Sequence, residues 1–284
     1  MNRTTILSLI AATCLSASAV NADLSDGLEL YYTFDNDTLA SGGIADSSGN
    51  GRNGSPVDDD ASGAIGLMFS SDVPAQLGSG NSLDLRGITD YLVADSYTGI
   101  AGGADRTIAL WVKSASVANQ HMVEWGTNDA GNRYTFRINN SEANGTLGGI
   151  RNEIQTTFVI NDIPVSDGEW HHVAVAFDVN DGAPSKNDIN LYVDGVLAGA
   201  TTTNANDPVL DTIPLNPVAI GGTNVFTDRS VDGLMDDVAI WSRALEASEI
   251  ASLASGAAII PEPNSAVLIL FGCIGFGLLR RTER

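Results

Sequence analysis

Cysteine is almost absent: the 284 residues hold two, Cys14 and Cys273, and both lie in terminal segments that read as removable. The body between them has no disulfide to form, so packing must hold it, with a metal as the one further aid. It also has no Cys or Cys/His zinc spacing. Basic residues are scarce, 14 Lys and Arg against 35 Asp and Glu, a formal net charge of −21. A globule of that sign repels nucleic acid and anionic lipid, which excludes a basic-patch reader of DNA or RNA. Catalytic strings are missing too, with no Gly-x-Ser-x-Gly elbow and no His-Glu-x-x-His helix. What the chain does have is 43% apolar residues, enough for a packed core.

The two ends read as addresses. In residues 1–22, Arg3 gives a positive start, 6–15 an apolar run, and Val20-Asn21-Ala22 a small-residue cleavage site before Asp23. At the other end Pro261-Glu262-Pro263 precedes 265–279, which carries no charge, and then Arg280-Arg281-Thr282-Glu283-Arg284. As a helix that stretch spans about 22 Å, short of the ~30 Å hydrocarbon core unless arginines snorkel. The arginines would stay cytoplasmic and leave everything upstream outside. This tail resembles the PEP-CTERM sorting signal of envelope-bearing bacteria. The resemblance implies recognition by an exosortase-type membrane enzyme, cleavage near the triplet, and release or surface attachment; an ordinary single-span membrane anchor is the alternative. The expected organisation is thus a signal peptide (1–22), one domain (23–260) and a sorting segment (261–284).

The middle is rich in strands and turns. Period-two alternation predicts strands at 28–34, 91–93, 107–113, 121–125, 134–138, 154–159, 171–178, 189–193, 218–221 and 234–241. Asp194-Gly195 predicts a two-residue hairpin. The helical spacing of Leu245, Ile250 and Leu253 predicts one short helix over 247–253, ended by Gly256. Segments 42–63 and 204–217 read as loops. Ten strands, one late helix and no βαβ alternation give an all-β class: an antiparallel two-sheet sandwich, plus the apolar anchor helix at the C-terminus.

Several strings stand in a familiar order: Tyr31-Tyr32-Thr33-Phe34-Asp35, Asp46-Ser47-Ser48-Gly49-Asn50-Gly51, Asp90-Tyr91-Leu92-Val93, Thr107-Ile108-Ala109-Leu110-Trp111-Val112-Lys113, Glu169-Trp170-His171-His172, Leu191-Tyr192-Val193-Asp194-Gly195, and Gly233-Leu234-Met235-Asp236-Asp237-Val238-Ala239-Ile240-Trp241. Arg243-Ala244-Leu245 with Glu249-Ile250 closes the series. Together, over residues 26–256, they resemble the LamG-like jelly roll of the concanavalin A-like lectin/glucanase superfamily. That resemblance implies a jelly-roll sandwich, often with one structural Ca²⁺ at its edge.

The residues support a metal in part. Alternation places Leu234, Asp236, Val238 and Ile240 on one apolar face, where a carboxylate is costly unless paired or bound to a metal. Ca²⁺ takes six to eight hard oxygens, and the glycine-bearing loop at Asp46 offers several. Asp46, Asn50 and Asp236 are the expected ligands, with Asp35 and Asp237 behind them. In the alternative, Asp46 holds its loop by an Asx-turn and Asp236 takes backbone donors. His171 and His172 point to opposite faces and cannot share an ion. Trp111 and Trp241 read as core, and so does Trp125, for which a surface position stacking on a sugar is the alternative. Glycoside hydrolases of this superfamily carry Glu-x-Asp-x-(x)-Glu on one strand; no such string exists here, and Glu124 and Glu169 stand alone. The expected function is non-enzymatic: exported, Ca²⁺-dependent binding of an extracellular polysaccharide or surface protein. A structural matrix component is the alternative, and a glycoside hydrolase is a weaker one.

Overall fold

The computed structural model describes residues 23–260, apart from 60, 88, 155, 181 and 204–207. The expected signal peptide lies outside the described residues, as does the sorting segment with Pro261, Glu262, Pro263, Arg280, Arg281 and the apolar stretch 265–279. Among the described residues no helix is long and apolar enough to cross a membrane.

In chain order the first strands are β1 (Leu28–Tyr32), β2 (Gly54–Val57), β3 (Met68–Ser70), β4 (Ser82–Asp84), β5 (Tyr91–Ala94), β6 (Arg106–Lys113), β7 (Gln120–Gly126) and β8 (Arg133–Ile138). There follow β9 (Gly149–Ile154), β10 (Thr157–Pro164), β11 (Trp170–Phe177), β12 (Ile189–Val193), β13 (Val196–Leu197), β14 (Ala200–Thr203), β15 (Ala219–Ile220) and β16 (Leu234–Trp241), then the helix α1 (Ala247–Ala254). One sheet runs β13-β12-β11-β6-β16-β4-β3, with β1 also on β16; the other runs β14-β10-β9-β8-β7-β15-β5-β2. The strand pairs are antiparallel, as the alternation required, and the two sheets form a jelly-roll sandwich.

Between the sheets Leu110, Val112, Val175, Phe177, Val238 and Ile240 meet Trp125, Tyr134, Phe136 and Ile150 in one cluster. The outer face of the first sheet is apolar as well. Ala109, Ala174 and Ala239 stand in register across β11, β6 and β16, and their small side chains let Ile250 and Leu253 of α1 pack close. The motif strings are the fasteners of this layer. Trp241 donates its indole N–H to Leu24 O at 2.7 Å. Arg243 grips Glu249 through both nitrogens at 2.8 and 2.6 Å. Thr107 Oγ1 donates to Arg243 O and accepts from Leu245 N.

Asp194 and Gly195, with φ of 50° and 78°, form the expected hairpin between β12 and β13. Other expectations shift. The strand expected at 154–159 is split: Ile154 ends β9 and Thr157 begins β10, with a tight connection between them that carries neither Gly nor Pro to announce it. The loop expected at 42–63 contains β2. The face assigned to Asp236 is also corrected: Asp237 adopts φ 47° and the register of β16 on β6 slips between Asp236 and Ala239. This bulge inserts an extra residue, so Asp236 pairs with Trp111 on the outer face while Val238 and Ile240 point into the core.

Candidate functional site

The bulge places two carboxylates side by side at the end of a cavity of about 290 Å³ on the outer face of the first sheet. Tyr31 and Asp35 form its β1 side, Gln76 and Ser79 a facing loop, and Gly256 to Ala258 its floor. The floor is set by the end of α1. Gly256 at φ 83° closes the helix with N–H bonds from Gly256 to Leu253 O and from Ala257 to Ser252 O, at 2.9 and 3.0 Å. Asp35 follows Phe34, a buried residue at φ 59°; such strain costs roughly 1–3 kcal/mol and persists only where the surroundings over-determine it. Gly80 leaves room for Asp35: a Cβ there would lie 1.9 Å from Asp35 Oδ1.

Asp236 is 3% exposed, and its Oδ1 accepts from Asp237 N. Asp237 Oδ1 accepts from the Tyr31 hydroxyl at 2.8 Å. Burial, then the charges of Asp237 and Asp35, pushes Asp236 up to about 8. Burial lifts Asp237 to about 6, against the Tyr31 hydrogen bond that lowers it. Burial and the three neighbouring carboxylates drive the Tyr31 hydroxyl well above its ordinary range, so it stays a donor. Among the described residues no ion pair involves Asp35, Asp236 or Asp237.

The remaining expected ligands lie across β1. Asp46 Oδ1 accepts from Tyr31 N and Ser48 N, and Oδ2 from Arg52 N, at 2.9–3.1 Å. Asn50 Nδ2 donates to Leu28 O and Glu29 O. Both side chains thus fasten the loop to the free edge of β1, while Asp236, Asp237 and Asp35 line the cavity on its other side. As a cation site the arrangement is chemically suited but not preassembled. The oxygens of buried Asp236 and half-buried Asp237 lack a counter-cation, yet no three His, Cys, Asp or Glu side chains converge on one point among the described residues.

His172 stacks edge-on against Trp111 at 5.3 Å, and burial lowers it to about 4. His171 reaches Asp194 and Asp167 instead, so the two imidazoles do part company. Trp125 is 1% exposed, inside the core and out of reach of a sugar. Glu124, isolated in sequence, is not isolated in space: His121 Nδ1 lies 2.8 Å from its Oε2, and Thr135 donates to the same oxygen. His121 and Glu124 are three apart on β7, and the bulge between His121 and Val123 turns both to one face, while Thr135 reaches Glu124 from β8.

A two-sheet jelly roll with a polar pocket beside its helix defines a lectin-like domain. The chain belongs to the concanavalin A-like lectin/glucanases superfamily, whose family model matches residues 86–251. No curated protein matches the sequence. Among solved structures it is similar to domain 4 of AbnA, a GH43 extracellular arabinanase from Geobacillus stearothermophilus, in complex with arabinotriose. That likeness has 22% identity and a TM-score of 0.56, covering 80% of this chain and 98% of that one. The receptor binding domain of botulinum neurotoxin D is similar at 14% identity and a TM-score of 0.49, over 82% of this chain. This chain spans about half of that domain, 53% of its length.

Proposed function

We propose that this is an exported, non-enzymatic binding protein whose acidic pocket holds Ca²⁺ and whose ligand is an extracellular carbohydrate or surface protein. The observation that carries the reading is the buried Asp236 beside half-buried Asp237, with exposed Asp35 at the same cavity and no counter-cation among the described residues, on a jelly-roll sandwich. Asp236 and Asp237, with Asp35, would hold the ion. Bound there, Ca²⁺ would supply the missing positive charge and tie β1 to β16. Domain 4 of AbnA with arabinotriose supports a sugar ligand for this fold. Glu124 fits the non-enzymatic reading by its geometry: it is buried, and His121, Thr135 and Thr223 take up its oxygens. Export by the segment 1–22, and exosortase-type processing or membrane anchoring through 261–284, belong to the same proposal; the mass of the mature C-terminus decides between cleavage and anchoring.

The test is a melt in millimolar Ca²⁺ and in EDTA, paired with a glycan array and retention on extracellular polysaccharide. At a hundredfold excess over Kd the ion stabilises by about 2.7 kcal/mol, and Asp236→Asn is expected to abolish most of that gain. Saturable, EDTA-sensitive retention is the expected binding result. An unchanged melt removes the metal, and no retention on any glycan or matrix fraction leaves a structural matrix component.

A further inference from the structure

The outer face of the second sheet inverts the charge of the molecule. Arg133 and Arg137 on β8 and Arg151 on β9 are 5% exposed or less. Arg229 joins them from the segment after β15, and both Arg229 and Arg133 stack on Phe226, at 3.4 and 5.3 Å. Two carboxylates answer these four cations, Glu124 and Glu153; Asp228, near Arg229, is 86% exposed and screened by water. Both carboxylates are already engaged. Glu124 is taken by His121, Thr135 and Thr223. Glu153 Oε2 is shared by Arg137 Nε at 3.2 Å and Arg151 Nη2 at 2.9 Å. That leaves Arg133 Nε and both Nε and Nη1 of Arg151 buried without a hydrogen-bond partner. Arg133 and Arg151 flank the same Glu153, and Phe158 fixes the plane of Arg151 from 3.6 Å. Unpaired guanidinium donors out of water are costly, and a planar fork of such donors matches a carboxylate or sulfate group.

We propose that this arginine face is an oxyanion site, taking the carboxylate or sulfate group of an acidic sugar against Arg229 and the donors of Arg133 and Arg151 that Glu153 leaves unpartnered. It lies on the other sheet from the acidic pocket, needs no metal, and stands or falls apart from the calcium reading. Arg229, with a side chain 27% exposed, is the most accessible cation of the cluster and the first an incoming anion meets.

Titration calorimetry of the full chain tests it, in EDTA at a constant ionic strength of about 0.15 M, with sodium glucuronate, sodium sulfate and glucose as probes. Saturable glucuronate binding, competed by sulfate and absent for glucose, is expected. Arg151→Gln is expected to weaken it at least tenfold and Arg229→Gln severalfold, with Lys113→Gln, on β6 of the first sheet, without effect. Should Arg151→Gln fail to fold, Arg229→Gln and the probe series carry the test. No anion binding, equal binding of glucose, sulfate without glucuronate, or indifference to both face variants overturns the proposal.

Discussion

Asn50 and Asp236 separate two kinds of polar residue that share a chemistry. Asn50 spends its amide on Leu28 O and Glu29 O at 2.9 and 3.1 Å, bonds worth about 1 kcal/mol each. Asn50→Ala is therefore expected to lower the melting temperature by roughly 4–8 °C, equally in Ca²⁺ and in EDTA. Asp236→Asn is expected to change only the difference between the two. A loss of that difference in Asn50→Ala would make Asn50 a ligand. The acidity of the Asp46 loop and the expense of Asp236 were legible, because residue type alone decides what a carboxylate needs. Their partners were not, because Tyr31 N and Arg52 N reach Asp46 only through the fold.

At the scale of elements, β16 and α1 build the pocket by two different irregularities. The end of α1 was legible, since a glycine after a helical stripe is the usual stop. Gly256→Ala would put a Cβ 2.3 Å from Gln76 O at φ 83°. It is expected to destabilise by about 1–3 kcal/mol, read as a lower urea midpoint at unchanged slope. The bulge in β16 was hidden. Alternation assumes an unbroken pleat, and one left-handed residue reverses the face of everything before it. Its available signal was the Asp-Asp pair, as Asp tolerates that conformation better than most residues.

Across the whole molecule the acidic pocket sets a pH dependence. Asp236, ordinarily near 3.8, sits at about 8 in the fold; the folded state binds the extra proton, so stability falls as pH rises between those values. Asp237 adds the same sense up to about 6. Asp72 and Glu249, lowered mainly by hydrogen bonds from Lys113 and Arg243, act oppositely, and their contribution fades only in acid. Burial of His172 and His121 lowers both and adds stability as pH rises to about 6.5, so the Asp236 effect is read above that: in EDTA the melting temperature is expected to drop from pH 7 to pH 8.5. Asp236→Asn should flatten most of that drop, and so should Ca²⁺. A rise over that range in EDTA would contradict the burial of Asp236.

The sequence by itself determined the all-β class, the hairpin at Asp194-Gly195 and the late helix, because periodicity and turn residues are local properties of the chain. It likewise marked an acidic body with no disulfide available to it. Only the tertiary structure decided that Asp236 faces outward beside Asp35, and that Glu124 meets His121. It alone gathered four arginines onto one sheet face. Each of these depends on how strands pair, where a single bulge or register choice sets which side chains share a face.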